Sequence, residues 1–106
     1  MANGKMGKML KQMQKVQAEM LKVQEELANR TVESTSGGGA VRAVVNGSKE
    51  LVELQIDPQI LKDEEAEMIQ DLVISAVNEA LRQADKMANS EMQKIAGMPG
   101  LPKDLF

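Results

Sequence analysis

Between Lys5 and Arg30 the apolar residues Met6, Met9, Met13, Val16, Met20, Val23 and Leu27 recur at alternating steps of three and four. With Met6 at heptad position a, Met6, Met13, Met20 and Leu27 fall at a, and Met9, Val16 and Val23 fall at d. That spacing predicts one long helix carrying a coiled-coil-like seam. After a frayed lead at residues 1–4, the helix is expected to run to about Asn29, a rod of roughly 37 Å at about 1.5 Å per residue. Beyond Arg30 the period falls to two. Thr31–Ser36 is polar and β-branched, Gly37, Gly38 and Gly39 supply a flexible turn, and Ala40–Val45 places Val41, Ala43 and Val45 on one face. This pattern predicts two antiparallel strands. Asn46-Gly47 is the pair favoured in a tight primed hairpin turn, because both residues tolerate positive φ. A third strand, Glu50–Ile56, then sets Val52, Leu54 and Ile56 on one face and Leu51, Glu53 and Gln55 on the other.

Asp57-Pro58 supplies a cap and a first-turn proline for a short helical turn through Gln59, Ile60 and Leu61. Asp63 is then placed to cap a second long helix of about 30 residues. Glu64, Glu65 and Glu67 fall in its first turns, where carboxylates oppose the positive end of the helix dipole. Met68, Ile69, Leu72, Val73, Ala76, Val77, Ala80, Leu81 and Ala84 form an apolar stripe wide enough to cover a sheet, and the stripe thins to Met87, Met92 and Ile95. Gly97, Pro99, Gly100 and Pro102 end regular structure, so residues 97–106 are expected to be a mobile tail.

Lengths constrain the architecture. Six-residue strands span roughly 20 Å, and the second helix roughly 45 Å, so both helices overhang the sheet. The expected fold is α+β: a three-stranded antiparallel sheet flanked by two long helices that project as arms. An overhanging apolar seam needs a partner, either the other helix or a second chain, and a thin core with open sheet edges favours a homodimer.

Composition narrows the function. The 106 residues make a single small domain whose only aromatic residue is Phe106, and nine methionines fill space adaptably while specifying packing weakly. Without cysteine or histidine there is no disulfide framework, no thiolate chemistry and no neutral-pH proton carrier. No apolar run approaches the roughly 20 residues needed to cross a bilayer, and no signal-peptide core is present, so a cytosolic protein is expected. The formal net charge is −3, which argues against a uniformly basic binder, but the charge is unevenly spread. Lys5, Lys8, Lys11 and Lys15 precede the first carboxylate, Glu19, whereas Asp63, Glu64, Glu65, Glu67 and Asp71 cluster in the second half. Fields are screened within about 8 Å at physiological salt, so a basic tip can attract phosphate while an acidic body stays away from it.

Each candidate chemistry can be weighed on these residues. Lys8, Lys15 and Lys22 all fall at heptad position c, with Lys11 at f, so the first helix carries a lysine stripe beside its seam. Such a stripe either keeps a helix solvated or contacts phosphates as point charges without reading bases. Arg82, Lys86 and Lys94 join it if the end of the second helix lies beside the first. The carboxylate cluster is accounted for by helix capping, and no metal site is assigned. Gly37, Gly38 and Gly39 lack the following Lys-Ser or Lys-Thr of a phosphate loop. The serines have no histidine to serve as base, so no catalytic residues, cofactor or small-molecule substrate are assigned and the chain is not expected to be an enzyme. A competing reading is an interaction module in which the methionine seam docks a partner helix.

The order of the pieces resembles a known family. Lys8–Leu27 with its Lys-Gln-Met-Gln and Val-Gln-Glu-Glu-Leu segments precedes a glycine-rich strand pair and Val44-Val45-Asn46-Gly47. Ile56-Asp57-Pro58, Leu61, an acidic helix start, Asp71-Leu72-Val73 and Ala76-Val77-Asn78-Glu79-Ala80 come next. This resembles the YbaB/EbfC family of bacterial nucleoid-associated proteins over nearly the whole chain, down to the Met/Pro-rich tail at Met98–Phe106. The resemblance implies an α-β-β-β-α subunit, a tweezers-like homodimer, and binding of duplex DNA by helical arms in the cytoplasm, on the nucleoid. Carried onto this sequence, the DNA-binding residues are Lys5, Lys8, Lys11 and Lys15, with Lys22, Arg82, Lys86 and Lys94 as lesser candidates. The chain departs from that pattern in being acidic overall, with few cations in its second helix before Arg82.

Overall fold

The computed structural model of the chain describes residues 3–97. Helix α1 (Asn3–Asn29) is followed by strands β1 (Thr31–Ser36), β2 (Val41–Asn46) and β3 (Leu51–Ile56), a short helix α2 (Pro58–Asp63) and the long helix α3 (Ala66–Ala96). This is the expected α+β arrangement. Of the expected frayed lead, Met1 and Ala2 lie outside the described residues, and so do residues 98–106 of the expected tail 97–106; α1 is already helical at Asn3.

The sheet has the order β1-β2-β3, antiparallel throughout, with β2 in the centre. Its register sets Val32, Ser34 and Ser36 opposite Val45, Ala43 and Val41. Paired residues in an antiparallel ladder share a face, and α3 packs on that face. Val41, Ala43 and Val45 are fully buried against Ala76, Ala80 and Ala84, with Leu72, Val73, Val77 and Leu81 half-buried around them. Three alanines spaced by four residues present a flat stripe on one side of α3, so the helix axis comes close to the strands. The Ser36 hydroxyl donates to the Leu72 carbonyl at 2.6 Å and ties the end of β1 to the same helix. On the other face Arg42 bridges Glu33 and Glu53 across the three strands.

Three local expectations are corrected. Asn46-Gly47 does not form a primed two-residue turn. The Lys49 amide donates to the Asn46 carbonyl at 3.0 Å, the Asn46 side chain accepts from the amides of Ser48 and Glu50, and the positive φ (65°) falls on Lys49. This is a three-residue loop closed by a left-handed residue, with an Asx turn in place of a primed pair. Glycine is needed at position 47 for space. A Cβ there would stand 2.5 Å from the Leu27 carbonyl oxygen, and the Gly47 amide donates to the carbonyls of Leu27 (2.8 Å) and Arg30 (3.0 Å). The second correction concerns Asp63, which does not cap α3. Asp57 caps α2 as expected, accepting from the Gln59 amide at 2.9 Å, and α2 then runs through to Asp63. Glu65 occupies the N-cap of α3 without a side-chain bond, and Glu67 is the acid in its first turn. The third lies in β3, where a bulge pairs Leu51 with Val45, so Leu51 joins Leu54 and Ile56 on the face shared with β2's core residues, while Val52 falls in the bulge.

A second cluster lies beyond the sheet. Val16, Val23 and Leu27 of α1 are buried with Ile95 of α3, and Met20, Met87, Ala88 and Met92 pack around them. Arg30 meets Glu91 at 2.9 Å, while Val23 shares a groove with Ile95, so the two helices run antiparallel. The molecule measures 76 × 20 × 17 Å. Helix α3 ends at Ala96, just past Ile95, which shares a groove with Glu19 and Val23 of α1, so among the described residues the first half of α1 extends past it.

Candidate nucleic-acid interface

The projecting half of α1 is built from two faces. Its seam residues Met6, Met9 and Met13 are 63%, 62% and 49% exposed, and Leu10 beside them is 58% exposed. Beside them Lys5, Lys8, Lys11 and Lys15 are all exposed, and none makes an ion pair among the described residues. The four lysines span roughly 15 Å of helix at about 1.5 Å per residue. The first turn of α1 has no acidic residue, so the positive end of the helix dipole adds to the lysine charge instead of being compensated. A helix selected for stability alone favours carboxylates there, and a local rule broken without structural gain points to a use elsewhere.

The other cations fall into two groups. Lys22 and Lys94 line one shallow groove at the root of the arm, but Glu19, Glu26 and Glu91 line it too. Lys94 donates to Glu91 at 3.1 Å, and Arg30 meets the same carboxylate. Those two partners, Lys94 first, hold the Glu91 carboxyl below the ordinary carboxylate range. Arg82 and Lys86 lie further back, in a groove with Lys49, Asn78 and Asp85. Arg82 is paired with Glu79 at 2.7 Å, which lowers the Glu79 carboxyl, and Lys49 is paired with Asp85 at 2.7 Å. From Arg82 to Ile95 is roughly 20 Å along α3, and the lysine tip lies beyond that again. Within one chain, therefore, Lys94 reaches Lys22, whereas Arg82 and Lys86 do not join the stripe. Lys49 carries no such signal in the sequence. It is isolated in an Asn-Gly-Ser-Lys loop, and only the β2–β3 hairpin brings it to α3.

A sequence profile described as the YbaB/EbfC DNA-binding family matches residues 2–99. The chain belongs to the YbaB/EbfC DNA-binding family. Its YbaB/EbfC relatives include a nucleoid-associated protein of Pelotomaculum thermopropionicum, 53% identical over 95% of this chain and 99% of that one. Another is a nucleoid-associated protein of Moorella thermoacetica, 52% identical over 96% and 98% of the two chains. The YbaB/EbfC fold of this chain is also similar to the crystal structure of an uncharacterised Helicobacter pylori protein, with a TM-score of 0.75 and 29% identity over 92% of this chain and 99% of that one. The family description names DNA binding and no reaction. Among the described residues of this YbaB/EbfC chain, no helix is long and apolar enough to cross a membrane.

Proposed function

We propose that the chain binds duplex DNA as a homodimer, on the nucleoid in the cytoplasm, and through that binding affects nucleoid organisation and gene expression. Lys5, Lys8, Lys11 and Lys15 contact the phosphate backbone with little base readout, and Lys22, Arg82, Lys86 and Lys94 contribute less. One observation carries the reading: a helix tip that outruns the other described elements bears four exposed lysines and no carboxylate. The paired state of Arg82 and Lys94 is why they rank lower. Family membership and the names of the relatives support DNA as the partner. The exposed Leu51, Val52 and Leu54 on the edge strand β3, with Leu61 and Met68 nearby in sequence, support a second copy as the cover for that side.

The test is a titration of unrelated duplexes at several salt concentrations. Phosphate contacts predict similar affinities for all sequences and a steep linear fall of log affinity with log salt. Affinity that is absent at low salt, or indifferent to salt, would favour the alternative in which the methionine seam docks a partner helix.

A further inference from the structure

An Asn-Gly pair is chemically labile, because the glycine nitrogen, uncrowded by a side chain, can attack the asparagine side-chain carbonyl. The chain has two such pairs, Asn3-Gly4 and Asn46-Gly47. In the β2–β3 loop the structure keeps the reacting groups of the second pair apart. The Gly47 amide is turned to the end of α1, where the last carbonyls of a helix need donors, and donates to Leu27 (2.8 Å) and Arg30 (3.0 Å). The Asn46 side chain is held at the same time. The residue is only 8% exposed, its Oδ1 accepts from the amides of Ser48 and Glu50, both at 3.0 Å, and its Nδ2 donates to Glu50 Oε1 at 3.3 Å. Two amides on one carbonyl oxygen draw charge away from Cγ, as an oxyanion hole does. The electrophile is therefore ready, and only the nucleophile is withheld.

We propose that Asn46-Gly47 is a gated modification site: Asn46 loses its side-chain amide only when the hairpin leaves the end of α1, and the product opposes the hairpin's return. In this step the Gly47 nitrogen bonds to Asn46 Cγ, the Cγ–Nδ2 bond breaks, and ammonia leaves with the proton that Gly47 carried. Water, the one co-reactant, then opens the succinimide ring to aspartate, or to isoaspartate with the main chain rerouted through Cγ. Aspartate puts an anion where Nδ2 stood, facing the Glu50 carboxylate in a site with little water to screen the pair. Isoaspartate lengthens the main chain by one methylene and shifts the Gly47 amide, at a place so tight that a Cβ would stand 2.5 Å from the Leu27 oxygen. Opened molecules are thus marked, and they close less well. The effect falls on the root of the arm, because the same loop holds Lys49 against Asp85 and the end of α1 holds Arg30 against Glu91. The inference rests on the hairpin and does not depend on DNA binding.

The full chain, aged in mildly alkaline buffer at physiological temperature, is followed by peptide mapping with mass spectrometry, which reads Asn46 separately from Asn3. Loss of the Asn46 amide should be about 100-fold slower in the folded protein than in concentrated urea, since the rate follows the open fraction. Leu27→Ala loosens the end of α1 and should speed the loss, whereas Ile60→Ala, packed at the opposite end of the sheet, should not. Loss as fast in the folded protein as in urea would overturn the gate, and so would equal acceleration by the two variants, which would make global unfolding the route. If Leu27→Ala fails to fold, the comparison with urea still decides. For the product, Asn46→Asp should melt below the unmodified protein, and adding Glu50→Gln should restore most of the loss by returning an N–H donor to the pair. An Asn46→Asp variant as stable as its parent, or one that Glu50→Gln does not rescue, would refute the opposition to reclosing.

Discussion

Replacing Lys8, Lys11 and Lys15 together by glutamine separates phosphate binding from every structural role of α1. The three side chains are exposed and make no ion pairs among the described residues, and glutamine is nearly as good a helix former as lysine. The stability change should stay within about 0.5 kcal/mol. The electrostatic change is large. B-form DNA carries one charge per about 1.7 Å of axis, so roughly 15 Å of arm passes about nine phosphates and the lysines, not the phosphates, limit the contacts. Four contacts per arm give a slope of about −3.6 in log affinity against log salt, and Lys5 alone gives about −0.9. Between 50 and 200 mM salt the unmodified arm then loses about 150-fold in affinity, and the variant about 3.5-fold. Fluorescence anisotropy on two unrelated duplexes reads both slopes, with sedimentation to follow the oligomeric state. An unchanged slope would refute the assignment of the stripe to phosphate. A slope that flattened only because the oligomer dissociated would make the stripe structural.

Gly47→Ala forces the hairpin away from the end of α1, losing up to two amide bonds at about 1 kcal/mol each and part of the burial of Leu27, for a total of about 2–4 kcal/mol. Thermal melts should fall by roughly 10–20 °C, whereas Gly38→Ala, which meets open space and carries only the strain of a positive φ, should cost about 1–2 kcal/mol. Equal shifts for the two variants would contradict the close approach at Leu27. At Glu91 the carboxyl is held low by Lys94 and Arg30, so its contribution is present above the ordinary carboxylate range and is lost as pH falls through the lowered value. Melts of Glu91→Gln at pH 6 and at pH 3 should therefore differ less than those of the unmodified protein. If the two proteins lose the same stability on acidification, the root of the arm is not held by this carboxylate.

Much of the fold could be read from periodicity, because periodicity reports which residues share a face. Val41, Ala43 and Val45 alternate and are fully buried; Ala76, Ala80 and Ala84 recur at helical spacing and meet them. Periodicity carries less information about ends and partners. Asp63 looked like a cap because an acidic run followed it, but Asp57-Pro58 had already started a helix that runs through it, and the chain turns extended only at Glu64 and Glu65. Asn46-Gly47 looked like a primed turn because both residues tolerate positive φ. The glycine answers instead to Leu27, a contact with no trace in local sequence. The lysine stripe was visible as a stripe. Its separation from Arg82 and Lys86 was not, since it depends on the antiparallel register that puts Arg30 beside Glu91.

The lengthwise segregation of charge has a consequence for the approach to DNA. Helix α3 runs from the acidic residues around Glu67 and Asp71 toward the root of the arm, about 35 Å away, and the lysine tip lies beyond it. Near a polyanion the two ends of this elongated subunit are pulled and pushed in opposite senses, which is a torque. If the lysines meet phosphate as proposed, this torque turns the subunit tip-first, and acidity at the far end sharpens that alignment although it lowers the net charge.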